Sequence, residues 1–98
     1  MTINVNKEGE KLTIAPVGRI DSTTAPEFGK SVEDNIEGIK ELIIDFAKLE
    51  YISSAGLRVL LSTQKTMSKI GSMKLINVGE VIMDVLNITG FVDILTIE

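Results

Sequence analysis

Two adjacent hydroxyls, Ser53 and Ser54, stand directly ahead of Ala55-Gly56-Leu57, where an apolar run ends and a helix-spaced pattern begins. A serine there can carry a phosphate. The first N–H groups of a helix lack partners inside it, and the aligned peptide dipoles leave that end partly positive, so a dianion on Ser54 is stabilised. Ser53 has the chemistry of an N-cap, its side-chain oxygen accepting from a first-turn N–H. Ser54 in turn reads either as a modifiable hydroxyl or as a plain residue at the first helical position.

Several neighbours bear on which of these holds. Gly56, inside the first turn, costs about 1 kcal/mol relative to alanine unless it has a further duty. That duty is either to leave room for a partner approaching Ser54 or to let the helix pack closely on a strand. Asp21 is placed either to cap a helix over 23–36 or to line the site beside Ser54. Tyr51, in the segment leading to the serines, reads as a core lid, with an exposed contact as the alternative. Arg58 and Val59 follow on the next turn, where a partner covering this end of the helix meets them and where a solvated arginine is the plainer reading.

Much other chemistry is absent. The chain has no cysteine and no histidine, so disulfides, thiolate sites and the commonest base and metal ligand are all missing. A serine hydrolase needs a base beside its nucleophile, and Ser53-Ser54-Ala55-Gly56 is not a nucleophile elbow. Gly71, Gly79 and Gly90 lack the Gly-Lys-Ser/Thr of a phosphate-binding loop. Ten basic against fourteen acidic residues give a net charge of −4, the wrong sign for nucleic acid or an anionic membrane, and Lys65, Lys69 and Lys74 do not form a basic patch. No charged leader with an apolar segment opens the chain, and no apolar run approaches the roughly twenty residues that span a bilayer. These features point to a cytosolic protein that works through a protein partner, without cofactor or metal.

The elements that must hold Ser54 in place are legible from periodicity. A length of 98 residues, 44% of them apolar, supports one core and one domain over 1–98. Ile3-Asn4-Val5-Asn6 and the alternation over 12–17 predict an N-terminal hairpin turned at Gly9. Ala25, Phe28, Val32 and Ile36 recur at helical spacing, with Pro26 near the start. Leu42-Ile43-Ile44-Asp45-Phe46 reads as a central strand buried on both faces. After the serines, Leu57, Leu60, Leu61, Gln64, Met67 and Ser68 share one helical face, with Gly71 as the stop. A strand over 74–78, a short helix buried through Val81, Val85 and Ile88, and a final strand over 91–97 complete the order ββαβαβαβ. The fold class is α/β: a mixed, mostly parallel sheet with an antiparallel N-terminal hairpin and helices packed on the sheet.

The segment over 45–57 resembles the signature of STAS domains of anti-anti-sigma factors, also called anti-sigma factor antagonists. In that family an apolar strand ends in Asp, a loop with an apolar or aromatic pair follows, and a Ser-x-Gly-Leu motif opens a helix. Asp45, Leu49, Tyr51, Ile52, Ser54, Gly56 and Leu57 match these positions. Gly18 and Asp21 upstream, and Leu86 with Thr89-Gly90-Phe91 downstream, extend the likeness over nearly the whole chain.

The resemblance implies a module without enzymatic activity that binds an anti-sigma factor which is also a serine kinase, frees the sigma factor, and is released when Ser54 is phosphorylated. A serine phosphatase reverses the modification. The partner surface it implies comprises Asp21, Thr23, Ser53, Ser54, Ala55, Gly56, Leu57, Arg58 and Val59. Ser53 stands where phosphorylated members usually have Asp, and Ala55 where many have Ser or Thr. The other reading is an unphosphorylated STAS scaffold in a transport or signalling assembly, using the same surface as static glue. A monomer or weak dimer is expected in either case.

Overall fold

The computed structural model describes residues 1–98, which form one five-stranded sheet and three helices. Strands β1 (Thr2–Glu8) and β2 (Lys11–Ile20) make the expected antiparallel hairpin, turned at Gly9 with its φ of 61°. Helix α1 (Ala25–Asn35) leads to β3 (Glu41–Asp45) and then to β4 (Leu49–Ile52), which runs into α2 (Ser54–Ile70). Strand β5 (Ser72–Ile76) and helix α3 (Glu80–Thr89) follow, and the chain ends in a 3₁₀ turn, Phe91–Asp93.

The sheet order is β1-β2-β3-β5, with β3 parallel to both β2 and β5. Strand β2 changes partner along its length. Its ladder with β3 ends at Ile14, the residues after it include Pro16, which has no N–H to donate, and from Gly18 onward β2 pairs in parallel with β4 through a register shift. Gly18, at φ 103°, is where that shift needs a residue without a Cβ. The result is a short strand, β4, held on β2 beside Ile20 and aimed at the start of α2.

All three helices contribute to one cluster of 20 buried residues, which also holds Leu12, Ile14, Leu42, Ile44 and Leu75 from the sheet. The helices therefore share one face of the sheet. Ile43 points to the other face. It is buried there between its register neighbours Thr13 and Lys74, outside the helix-covered cluster, so β3 is buried on both faces, as its apolar run predicts.

Three expectations are corrected. The segment over 91–97 is not a strand: it forms the 3₁₀ turn and a single parallel bridge, Leu75 to Ile97, so the order is ββαββαβα with β4 the strand that periodicity overlooked. Four residues with exposed Glu50 and Tyr51 between buried Leu49 and Ile52 are too short to show a period of two. Helix α3 buries Ile82 and Leu86 instead of Val81, Val85 and Ile88. Helix α2 buries Gly56, Leu57, Leu60, Thr63 and Met67, with Thr63 bonded to the Val59 carbonyl, while Leu61 and Gln64 sit at the edge and Ser68 is exposed.

Candidate functional site

Strand β4 delivers the chain to α2 through one hydrogen bond, from Ser53 N–H to the Ile20 carbonyl at 2.7 Å. Asp21 follows Ile20, so the starts of α1 and α2 lie side by side at one end of the sheet. The same end brings together the residues singled out from sequence.

Ser53 is extended (φ −91°, ψ 174°) and its Oγ accepts from Gly56 N–H at 3.4 Å, the N-cap expected of it. The bond is long, so the cap is a weak one. Ser54 is exposed, occupies the first helical position, and its hydroxyl has no hydrogen-bond partner in the chain. The N–H groups of Ser54 and Ala55 also have none, whereas Leu57 N–H is taken by the Ser53 carbonyl. No acidic residue lies in the first turn of α2 to offset the helix dipole. The position is thus an accessible hydroxyl beside free backbone donors in a partly positive field.

Gly56 is settled by packing. A Cβ there would lie 2.6 Å from Ile20 Cγ2 and 2.7 Å from Ile52 Cγ1, side chains that are register partners in the β2–β4 ladder. The glycine lets α2 rest on that pair. Gly56 and Leu57 are both buried, so neither exposes side-chain surface at this end of the helix.

Asp21 serves the start of α1. Its Oδ1 accepts from Thr23 Oγ1 (2.7 Å), Thr23 N–H (2.9 Å) and Thr24 N–H (3.0 Å), while its own N–H donates to Thr24 Oγ1 (2.9 Å). Its carbonyl accepts from Ala25 N–H at 2.8 Å. This reciprocal pairing of residues three apart has the form of a capping box, and it closes the turn that leads into α1, whose own N-cap, Thr24, makes no side-chain cap bond. The Thr23 hydroxyl, then the Thr24 and Thr23 N–H groups, favour the ionised carboxylate and lower its pKa from 3.8 to about 2. Thr23 itself is exposed, its hydroxyl spent on Asp21.

Tyr51 is not a core lid. It is 36% exposed, and the Arg19 guanidinium lies 4.5 Å from its ring centroid, a cation–π pair across the β2–β4 ladder. Asp45, at the end of β3, accepts from Ala47 N–H and from Asn77 Nδ2, tying together the two loops at that end of the strands.

Between α1 and α2 runs a groove of about 340 Å³ lined by Ala55, Arg58, Val59 and Ser62 on one side and by Ser22, Ala25, Pro26, Gly29 and Glu33 on the other. It begins next to Ser54. Arg58 takes part in none of the three ion pairs, which join the N-terminus to Glu27, Lys30 to Asp34 and Lys74 to Glu98. Sequence reasoning found the α2 wall and missed the α1 wall. Its signal was a row spaced 22, 26, 29, 33 along α1 and the turn before it, rich in small residues, with Gly29 facing Val59.

No three His, Cys, Asp or Glu side chains are grouped to hold a metal ion, and no helix is long and apolar enough to cross a membrane.

A sheet covered on one face by three helices, with a serine exposed at the start of α2, defines the class, and a family model described as STAS domain matches residues 2–98. The chain belongs to the STAS domain family. It is 34% identical, over 100% of its length and 93% of the relative's, to the anti-sigma-B factor antagonist of Bacillus subtilis. Its fold matches an anti-sigma factor antagonist from Mycobacterium paratuberculosis at a TM-score of 0.89, with 22% identity over 98% of this chain and 83% of that one. It also matches the antagonist SpoIIAA, in the unphosphorylated form at a TM-score of 0.78 (15% identity, 99% of this chain and 87% of that one) and in the phosphorylated form from Bacillus at 0.77 (16% identity, 99% and 91%).

Proposed function

We propose that this protein is an anti-sigma factor antagonist, without enzymatic activity, whose unphosphorylated form docks on an anti-sigma factor that is a serine kinase and so releases the sigma factor in the cytosol. The observation that carries this reading is the division of labour between two neighbouring serines. Ser53 is bonded as the cap, and Ser54 presents an unbonded, exposed hydroxyl at the head of α2, beside a groove ready for a partner. The Bacillus subtilis relative, whose name gives it the antagonist role, supports the same conclusion.

Docking uses Ser54, Ala55, Arg58 and Val59 with the facing wall of α1. Phosphorylation of Ser54 ends it, and a phosphatase restores it. The phosphate carries a charge of about −1.5 to −2, and the free helix terminus stabilises it by up to about 2 kcal/mol, so the fold stays as it is. Buried unpaired against a partner, the same charge costs several kcal/mol, enough to weaken binding roughly 100-fold or more.

The competing reading is a static STAS scaffold, and Ser53 favours it to the extent that a carboxylate ahead of the serine helps a kinase. The deciding experiment retains proteins from native lysate on the chain and on its Ser54→Asp variant. Retention of an ATP-binding serine kinase by the unmodified chain alone, with phosphate mapped to Ser54 after incubation with that kinase and ATP, is the expected result. Equal retention of transport or scaffold components by both forms refutes it.

A further inference from the structure

Helix α3 carries more apolar surface than the fold uses. Its fully buried contacts come from Ile82 and Leu86, and Val85 packs against the core at the edge, yet Val81 and Ile88, four residues before and three after Val85, continue its row outward along one face. Val85 is half-buried, whereas Val81 is 62% and Ile88 85% exposed, the two highest values among the exposed large apolar side chains of the chain. Scattered exposed apolar residues are ordinary, but a stripe along a helix that is apolar on its inner face as well is the pattern of an element covered on both sides.

The charges beside the stripe choose what covers it. At 100° per residue, Glu80 and Asp84 flank one side of the Val81-Val85-Ile88 row. Residues 75–98 contain Glu80, Asp84, Asp93 and Glu98 and no lysine or arginine, and Glu98 alone is paired, with Lys74. A second α3 packed on this face adds only carboxylates, and an anionic lipid surface is repelled by them.

We infer that the Val81-Val85-Ile88 face of α3 is a second docking surface, separate from the Ser54 groove, for an amphipathic helix of another protein whose apolar row is bordered by lysine or arginine. A row parallel to the helix axis suits helix-on-helix packing, and the acidic flank sets which side the partner's cations take.

The test uses the full chain, ¹⁵N-labelled, titrated with an 18-residue Leu/Lys amphipathic helical peptide and with its Leu/Glu counterpart. The Leu/Lys peptide should shift amides of residues 80–89, saturate, and weaken with added salt, while the Leu/Glu peptide does nothing there. Val81→Gln/Ile88→Gln alters only exposed positions, so it should keep the parent melting temperature and lower the affinity about tenfold or more. Glu80→Gln/Asp84→Asn should remove most of the salt dependence. The inference is overturned if the peptide's shifts spread over the carboxylates Glu33 and Asp34 of α1 and Glu37 just after it, or if both peptides bind alike. It is equally overturned if light scattering shows the chain dimerising in a manner that Ile88→Gln abolishes, since a second copy then covers the stripe.

Discussion

At the scale of single residues, the switch end of the molecule assigns one task per side chain. Ser53 caps through a long bond, so Ser53→Ala should lose about 0.5–1 kcal/mol, whereas Ser54→Ala, which breaks no bond, should stay within about 0.5 kcal/mol of the parent in urea denaturation. Gly56→Ala gains about 1 kcal/mol of helix propensity and forces Ile20 and Ile52 aside at a cost of about 1–3 kcal/mol, so a net loss is expected. A gain in stability would instead mean that Gly56 serves the partner's approach. Asp21 makes stability depend on pH. Its folded pKa lies below the unfolded value, so its contribution is full above pH 3.8 and fades as pH falls toward 2. Melting temperatures measured over that window should fall less steeply in Asp21→Asn than in the parent.

At the scale of elements, α3 shows how far periodicity reaches. Val81, Val85 and Ile88 have the spacing of a buried face, and so does the pair Ile82 and Leu86, because the helix is apolar on more than one side. Which pair of faces turned inward depended on contacts with β4 and the C-terminal turn. Ile82→Ala should therefore cost about 2–5 kcal/mol by leaving a cavity, and Ile88→Ser should lie within about 0.5 kcal/mol of the parent, both read from thermal or urea unfolding. Similar melting of the two variants would return the buried face to Val81, Val85 and Ile88. The same limit applies to β4: with exposed Glu50 and Tyr51 in its middle it carries no strand signal of its own, and it exists because β2 changes partner at Gly18.

At the scale of the whole molecule, one-sided coverage of the sheet gathers the helices into a single layer, and the groove between α1 and α2 is a seam of that layer. Ser54 sits at the end of the seam and outside the core, so a charge placed there meets solvent and helix donors, leaving packed side chains undisturbed. Ser54→Asp should accordingly leave the melting temperature within a few degrees of the parent and confine amide shift changes to the starts of α1 and α2. Shift changes reaching β1 or α3 would show that the switch refolds the domain.

The sequence by itself determined the elements whose signal is local: the hairpin at Gly9, the helix over Ala25, Phe28 and Val32, the apolar central strand, and the Ser53 cap, each written in spacing or in side-chain chemistry a few residues long. It also marked Ser54 as the hydroxyl at a helix start. Tertiary structure alone decided the rest. That Gly56 rests on Ile20 and Ile52, that Leu57 is buried, that Tyr51 lies under Arg19, and that α1 and the turn before it line one side of the groove are contacts between residues distant along the chain. Such contacts exist only once β4 has paired with β2, and no local pattern encodes a pairing whose energy comes from the partner strand.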